Sequence, residues 1–157
     1  MGDVQMTSSS FKAEFKAAFK ALVLREQEGK TNASVEDLTT AELPEGDVLV
    51  NVRYSSINYK DAMAVTGTGK IIRKFPMVPG IDLAGEVIES SNPQFKPGDN
   101  VILTGWSVGE RFWGGYSQVQ RLKAEWLLPL PASISLHQAM TIGTAGDAQL
   151  KLPCPAN

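Results

Sequence analysis

Cysteine, histidine and long apolar runs are nearly absent from this sequence. The chain of 157 residues contains one cysteine and one histidine. Because the only cysteine is Cys154, no internal disulfide can form, which indicates a reducing, cytoplasmic setting. No apolar stretch approaches the roughly 20 residues that a membrane-spanning helix needs. Residues 1–10 are polar and lack the apolar segment of a secretory signal.

The sequence also lacks an excess of charge of either sign. Lys and Arg number 15 and Asp and Glu 17, so the formal net charge is −2. Without a basic run or a basic face, the sequence predicts no nucleic-acid partner and no anionic membrane surface. A hydrophobic share of 43% is typical of a soluble globular protein. The length suits one domain with a core of its own.

Short apolar or alternating segments separated by Gly and Pro make up most of the chain. The segment 47–54 alternates with a period near two, which predicts a half-buried strand. Further strands are predicted over 21–24, 33–38, 81–88, 101–103, 116–120 and 126–128. Gly85 inside one of them indicates a bulge or a close backbone approach. The pattern favours an all-β barrel or sandwich with short helices.

Two short helices are predicted from capping signals. Asn58 can cap a helix through residue 65, with Asp61 reaching back as in a capping box, and Gly67 would end it. Ser135 and Gln138 form a second capping-box start for a helix through residue 142.

Several ordered motifs resemble one protein family. They are Asn58-Tyr-Lys-Asp61, Pro79-Gly-Ile-Asp-Leu-Ala-Gly85, Phe95-Lys-Pro-Gly-Asp99, Trp113-Gly-Gly-Tyr-Ser117 and Gly143-Thr-Ala-Gly146. Together they resemble the zinc-independent medium-chain dehydrogenase/reductase superfamily, in its quinone oxidoreductase and acryloyl-CoA reductase branch. The resemblance covers residues 18–146 and implies a mainly β, GroES-like barrel with short helices. Residues 1–17 are interpreted as a leader or a disordered extension.

The zinc ligands of related enzymes are replaced in this chain. Zinc-using relatives carry Cys where Asn58 stands and a His-Glu pair where Ile81 and Asp82 stand. Catalytic zinc needs about three N, S or O ligands with one open position. The remaining histidine, His137, lies far along the sequence on a predicted helix. We therefore expect no metal site.

The resemblance implies reduction of an activated C=C bond with NADPH as the hydride source. Asn58 and Tyr59 would then be catalytic, with an amide N–H and a phenol O–H polarising the substrate carbonyl. Helix capping is an alternative or additional role for Asn58. A core or interface position is the alternative for Tyr59. Asp82 is interpreted as structural, since a carboxylate after a turn can accept backbone amides.

Three further residues are candidates for ligand binding. Arg73 could meet a phosphate of a CoA thioester or of NADPH, although it could also be a solvated surface residue beside Lys74. Trp113, with Trp106 and Arg111, could rim the substrate pocket or serve as a buried anchor. Thr144 would contact the cofactor through its backbone and hydroxyl, unless Gly143 simply ends a helix there.

The resemblance stops after Gly146. Residues 147–157 form a tail with two prolines, and no G-x-G-x-x-G motif occurs in the chain. We therefore expect that the chain lacks the Rossmann domain, that NADPH binding is doubtful and that it is inactive alone. The expected partners are a small-molecule substrate and either a Rossmann-domain partner or further copies of the chain in a homo-oligomer. The alternatives are a non-catalytic protein-interaction module and an inert truncation product.

Overall fold

The computed structural model of the chain describes residues 18–150. Its elements, in chain order, are β1 (Phe19–Gln27), β2 (Lys30–Leu38), β3 (Val48–Ser55), α1 (Tyr59–Thr66), β4 (Asp82–Ser90), β5 (Asn100–Thr104), β6 (Val119–Leu122), a 3-10 turn (Ala124–Trp126), β7 (Leu128–Pro129) and α2 (Leu136–Leu150). The predicted extension over 1–17 and most of the predicted tail lie outside the described residues.

The predicted strand over 47–54 becomes the interior strand β3. Its inward residues Val48 and Val50 are fully buried, because alternate side chains of a strand point to the same face. The five-stranded sheet has the order β6-β3-β4-β5-β7. Apolar residues of these strands form the main core with Phe95, Val108 and Trp126.

A separate hairpin covers the second core. β1 and β2 pair antiparallel from Phe19 opposite Leu38 to Gln27 opposite Lys30. The buried β1 backbone is tied to two loops: the N–H of Leu22 donates to the Tyr116 carbonyl at 2.8 Å, and that of Leu24 to the Met77 carbonyl at 2.7 Å. These bonds hold the hairpin against the larger sheet.

All strand pairs in both sheets are antiparallel. Antiparallel sheets need no strand–helix–strand crossover, and residues 18–150 contain none of the parallel pairs on which a Rossmann domain is built. The prediction of a mainly β, GroES-like domain without a Rossmann domain is confirmed for this part of the chain. Over the same residues, no helix is both long and apolar enough to span a bilayer.

Two predicted strands differ from those observed. The strand predicted over 116–120 begins only at Val119, because residues 114–116 use their backbone N–H groups on the carbonyls of residues 78–80. The segment 126–128 ends a 3-10 turn and enters the two-residue strand β7. Pro129 has no N–H for the ladder, which accounts for the short length of this edge strand.

A bulge and a close backbone approach, the two features predicted from Gly85, are both present. The register between β3 and β4 shifts between Val52 and Tyr54, directly beside Gly85. A Cβ at Gly85 would stand 2.2 Å from the carbonyl oxygen of Asn51, which is far inside van der Waals contact. The two strands can approach this closely only because residue 85 has no side chain.

We expect Gly85→Ala to lower the free energy of unfolding by about 3 kcal/mol, since backbone must move to admit the methyl group. Urea denaturation measures the loss. Gly29→Ala is the control, because its Cβ would meet nothing within 4 Å and only its φ of +73° opposes the change. That strain costs about 1 kcal/mol. Equal losses in the two variants would contradict the close approach at Gly85.

Candidate functional site

The carboxylate of Asp82 is the centre of a buried polar network. Asp82 begins β4 and has no exposed surface. Its Oδ2 accepts hydrogen bonds from Ser56 Oγ at 2.6 Å, Asn58 Nδ2 at 3.1 Å and the Thr144 backbone N–H at 2.7 Å. The Thr144 hydroxyl donates to its Oδ1. Four donors therefore join three chain segments at one carboxylate.

A second buried carboxylate, Asp61, holds the loop that leads into β4. Its Oδ1 accepts the backbone N–H groups of Gly80 at 3.2 Å and Ile81 at 3.0 Å. Its Oδ2 accepts the backbone N–H of Asn58 at 3.0 Å, and the predicted capping box at the start of α1 is present. Asp61 thus fixes the approach of α1 to the beginning of β4.

The side-chain amide of Asn58 is turned inward. Its Nδ2 lies 3.1 Å from Asp82 Oδ2, 3.3 Å from Asp61 Oδ2 and 3.0 Å from Ser56 Oγ. Carboxylate oxygens without a proton only accept, so these neighbours require the nitrogen at this position. The amide N–H groups are thus used within the protein, whereas the sequence had predicted them as donors to a substrate carbonyl.

The helix predicted from Ser135 continues beyond its expected end. The backbone of α2 leaves helical geometry at Gly143, with φ 49° and ψ −165°, and then resumes. A Cβ at Gly143 would lie 3.0 Å from Asp82 Oδ2 and 3.2 Å from Ser56 Oγ. The break lets the Thr144 N–H and hydroxyl reach Asp82, while a contact between Thr144 and the cofactor stays a prediction.

Exposed apolar side chains border this network. Tyr59 is 82% exposed, so the alternative of a core aromatic is excluded. Ile57, between Ser56 and Asn58 in the chain, is 88% exposed, and Ile142, two residues before Thr144, is 47% exposed. Fixed polar groups with apolar side chains nearby are a feature of small-molecule sites.

The sequence prediction missed Ser56 and Tyr116. The Tyr116 hydroxyl donates to the Ser56 carbonyl at 3.0 Å. Burial, followed by the negative charges of Asp61 and Asp82, raises the pKa of Tyr116 above its ordinary value. Its hydroxyl therefore stays protonated at neutral pH. A sequence signal did exist for the network itself, because Asp82 stands directly before the apolar residues Leu83 and Ala84 at the head of a predicted strand.

Trp113 and Arg73 do not join the Asp82 network. The Trp113 indole N–H donates to the Pro76 carbonyl at 3.0 Å, and its half-buried ring packs on the core. Arg73 has a 62% exposed side chain with Nε 3.7 Å from Glu110 Oε1. Glu110 also pairs with Lys60 of α1. The substrate contacts of Trp113 and Arg73 remain predictions.

No group of three or more His, Cys, Asp or Glu suited to a metal ion occurs among the described residues. Asp61 and Asp82 are both buried carboxylates, and the oxygens of each accept hydrogen bonds from protein donors.

The alcohol dehydrogenase GroES-like domain model matches residues 44–132, more than half of the chain. The chain belongs to this family. The match spans β3 to β7 and so includes Asn58, Asp61 and Asp82.

Relatives of the chain include reductases of two named types. The probable acrylyl-CoA reductase AcuI of Escherichia coli is 56% identical over 127 residues, covering 81% of this chain and 39% of that protein. The putative quinone oxidoreductase YhfP of Bacillus subtilis is 41% identical over 128 residues, covering 82% and 39%. The YhdH oxidoreductase of Salmonella enterica, crystallised with NADP, is 57% identical with a TM-score of 0.79, covering 81% and 39%. The chain therefore spans about two fifths of these relatives.

We expect Asp82→Asn to lower the free energy of unfolding by about 3 kcal/mol. The new NH2 group would face either the Thr144 hydroxyl or the three donors that now meet Oδ2, and buried donors without an acceptor are costly. Thermal and urea denaturation measure the change. Asp37→Asn is the matched control, because Asp37 is 62% exposed and only pairs with Lys20. An exposed pair contributes less than about 1 kcal/mol. Similar losses in both variants would contradict the network.

Acid should weaken the contact between α1 and the loop at Glu110. A hydrogen bond from Lys60, and then the charges of Lys60, Arg73 and Arg111, lower the pKa of Glu110. A lowered folded-state pKa gives stability that is complete above the unfolded-state value, about 4.3, and is lost as the pH falls through the folded-state value. Glu110→Gln should therefore lose less stability than the wild type between about pH 6 and pH 3. Parallel pH profiles of unfolding would contradict the ion pair.

Proposed function

We propose that this chain provides the substrate-facing part of an NADPH-dependent reductase of activated C=C bonds, with an acrylyl-CoA-like enoyl thioester as the substrate class. An enone or a quinone fits the same chemistry. The observation that carries this proposal is the exposed Tyr59 phenol beside the fixed Asn58–Asp82 network, in a chain 56% identical to a probable acrylyl-CoA reductase.

The residues of this chain fit the nicotinamide end of the cofactor. The oxygens of Asn58 and Thr144 are acceptors, and a nicotinamide carboxamide offers an NH2 donor. Residues 18–150 contain no Gly-rich turn between a parallel strand and a helix for the pyrophosphate. We therefore infer that the rest of NADPH is held by a separate Rossmann domain. When bound, NADPH supplies a hydride to the β-carbon of the substrate.

Tyr59 is the donor available for the substrate carbonyl. Its hydroxyl makes no hydrogen bond to another described residue, and its side chain is 82% exposed. As negative charge develops on the carbonyl oxygen, a neutral phenol can stabilise it by donating its proton in a hydrogen bond. The carbon α to the carbonyl then takes a proton, which completes the saturated product.

The electrostatics of the site make such a donor necessary. Burial, and then the negative charges of Asp61 and Asp82, raise the pKa of Tyr116, so the two carboxylates act on a neighbouring group. The same field opposes enolate charge on a substrate. The amide hydrogens of Asn58 are already used on these carboxylates. Tyr59 is therefore the group that we assign to carbonyl polarisation.

A chimera tests the proposal. Residues 18–144 replace the matching segment of the Escherichia coli relative, and NADPH consumption with acryloyl-CoA is followed by absorbance. We expect the chimera to be active and Tyr59→Phe to lower kcat/KM by about 100-fold, the usual cost of one lost oxyanion donor.

Tyr54→Phe is the control for this variant. Tyr54 is 44% exposed and stacks edge-on against His137 at 5.4 Å, so losing its hydroxyl should change the rate little. A folded chimera without activity would contradict the proposed function. Full activity of Tyr59→Phe would contradict the role given to the phenol.

A further inference from the structure

The loop after β5 carries a tryptophan in a costly backbone conformation. Gly105, Trp106 and Ser107 are three consecutive residues with positive φ, at 82°, 55° and 58°. This left-handed region suits glycine, whereas the Cβ of other residues approaches the carbonyl oxygen too closely. The Trp106 side chain is nevertheless 56% exposed, so burial of its ring does not offset the cost of this backbone conformation.

Surrounding contacts hold the strained loop in place. The carbonyl of Ser107 accepts the backbone N–H groups of residues 110, 111 and 112 at 2.9 to 3.3 Å. Val108 is fully buried in the main core. The Gly105 N–H donates to the Ile81 carbonyl at 3.3 Å. Strain that persists under such constraint and presents an exposed side chain is a sign of a binding role.

The same contacts place the loop beside the Asp82 network. Thr104, two residues before Trp106, pairs with Asp82 across the sheet. Glu110, at the far end of the loop, forms an ion pair with Lys60, the residue after Tyr59. Trp106 thus stands on a loop tied both to the head of β4 and to the first turn of α1.

The other two tryptophans have structural partners. Trp113 donates its indole N–H to the Pro76 carbonyl. Trp126 is 8% exposed and packs on Phe112 with ring centroids 4.8 Å apart. Among the described residues, Trp106 has neither an indole hydrogen bond nor an aromatic partner. Its ring, 56% exposed, is accessible to a ligand.

We propose that Trp106 is a specificity-determining residue whose indole lies against the planar conjugated C=C–C=O group of the substrate. A rigid aromatic face packs closely on a planar conjugated group, while the saturated product has an sp³ chain that cannot lie flat on it. Trp106 would therefore favour the unsaturated thioester over its own product. This inference rests on the proposed function, because it takes its ligand class from there.

The test compares crotonyl-CoA with butyryl-CoA on the 15N-labelled chain by NMR. The two ligands share the CoA part and differ in one C=C bond. We expect the Trp106 indole N–H signal to shift, with those of Trp113 and Trp126 as internal references. Crotonyl-CoA should bind about 5-fold more tightly, the size of one aromatic contact beyond its buried area. Trp106→Leu should bring the ratio of the two Kd values close to one, and Trp106→Phe should restore part of it.

The ratio of the two Kd values separates recognition from a structural role of Trp106, because a general loss of folding weakens binding of both ligands alike. Tyr54→Leu, an exposed aromatic on β3, is the control and should keep the wild-type ratio. An unchanged ratio in Trp106→Leu, with signals of the Asp82 network still shifting, would overturn the inference and leave the proposed function standing. Absence of any shift with either ligand would overturn the inference, and the activity of the chimera decides the proposed function separately.

Discussion

The buried carboxylate of Asp82 is the constraint on which the candidate site depends. A carboxylate without exposed surface must be satisfied by hydrogen bonds, because the protein has removed its water. Four donors from residues 56, 58 and 144 meet that requirement. Each of them becomes fixed in direction as a result. The start of α1, the start of β4 and the break in α2 are thereby held together at one point.

The hydrogen bonds to Asp82 and Asp61 determine which way each polar group of the site points. The Ser56 and Thr144 hydroxyls and the Asn58 amide donate to the two carboxylates, and Asn58 also donates to Ser56 Oγ. In the function that we propose, the exposed phenol of Tyr59 is the donor and the exposed ring of Trp106 an apolar face. Together they would orient an unsaturated carbonyl compound beside a nicotinamide.

Much of the fold followed from local patterns. The alternating pattern predicted β3, and the capping-box residues predicted the start of α1. Gly85 predicted the close approach of β3 and β4. The errors lie where tertiary contacts compete with local preference. Residues 116–120 alternate like a strand, yet the strand begins only at Val119, because the Tyr116 N–H donates to the Pro79 carbonyl of a loop. The Trp113 indole N–H donates to the Pro76 carbonyl, and its contact with a substrate stays a prediction.

The sequence by itself determined the family, the mainly β class and the residue types at the site. These depend on motifs and periodicities that lie within short stretches of chain. The tertiary structure alone decided which way the site residues face. Asn58 and Asp82 are 24 residues apart, and Thr144 and Asp82 are 62 apart. Only folding brings these groups together, and the carboxylate that they share then decides that the Asn58 amide nitrogen points into the protein.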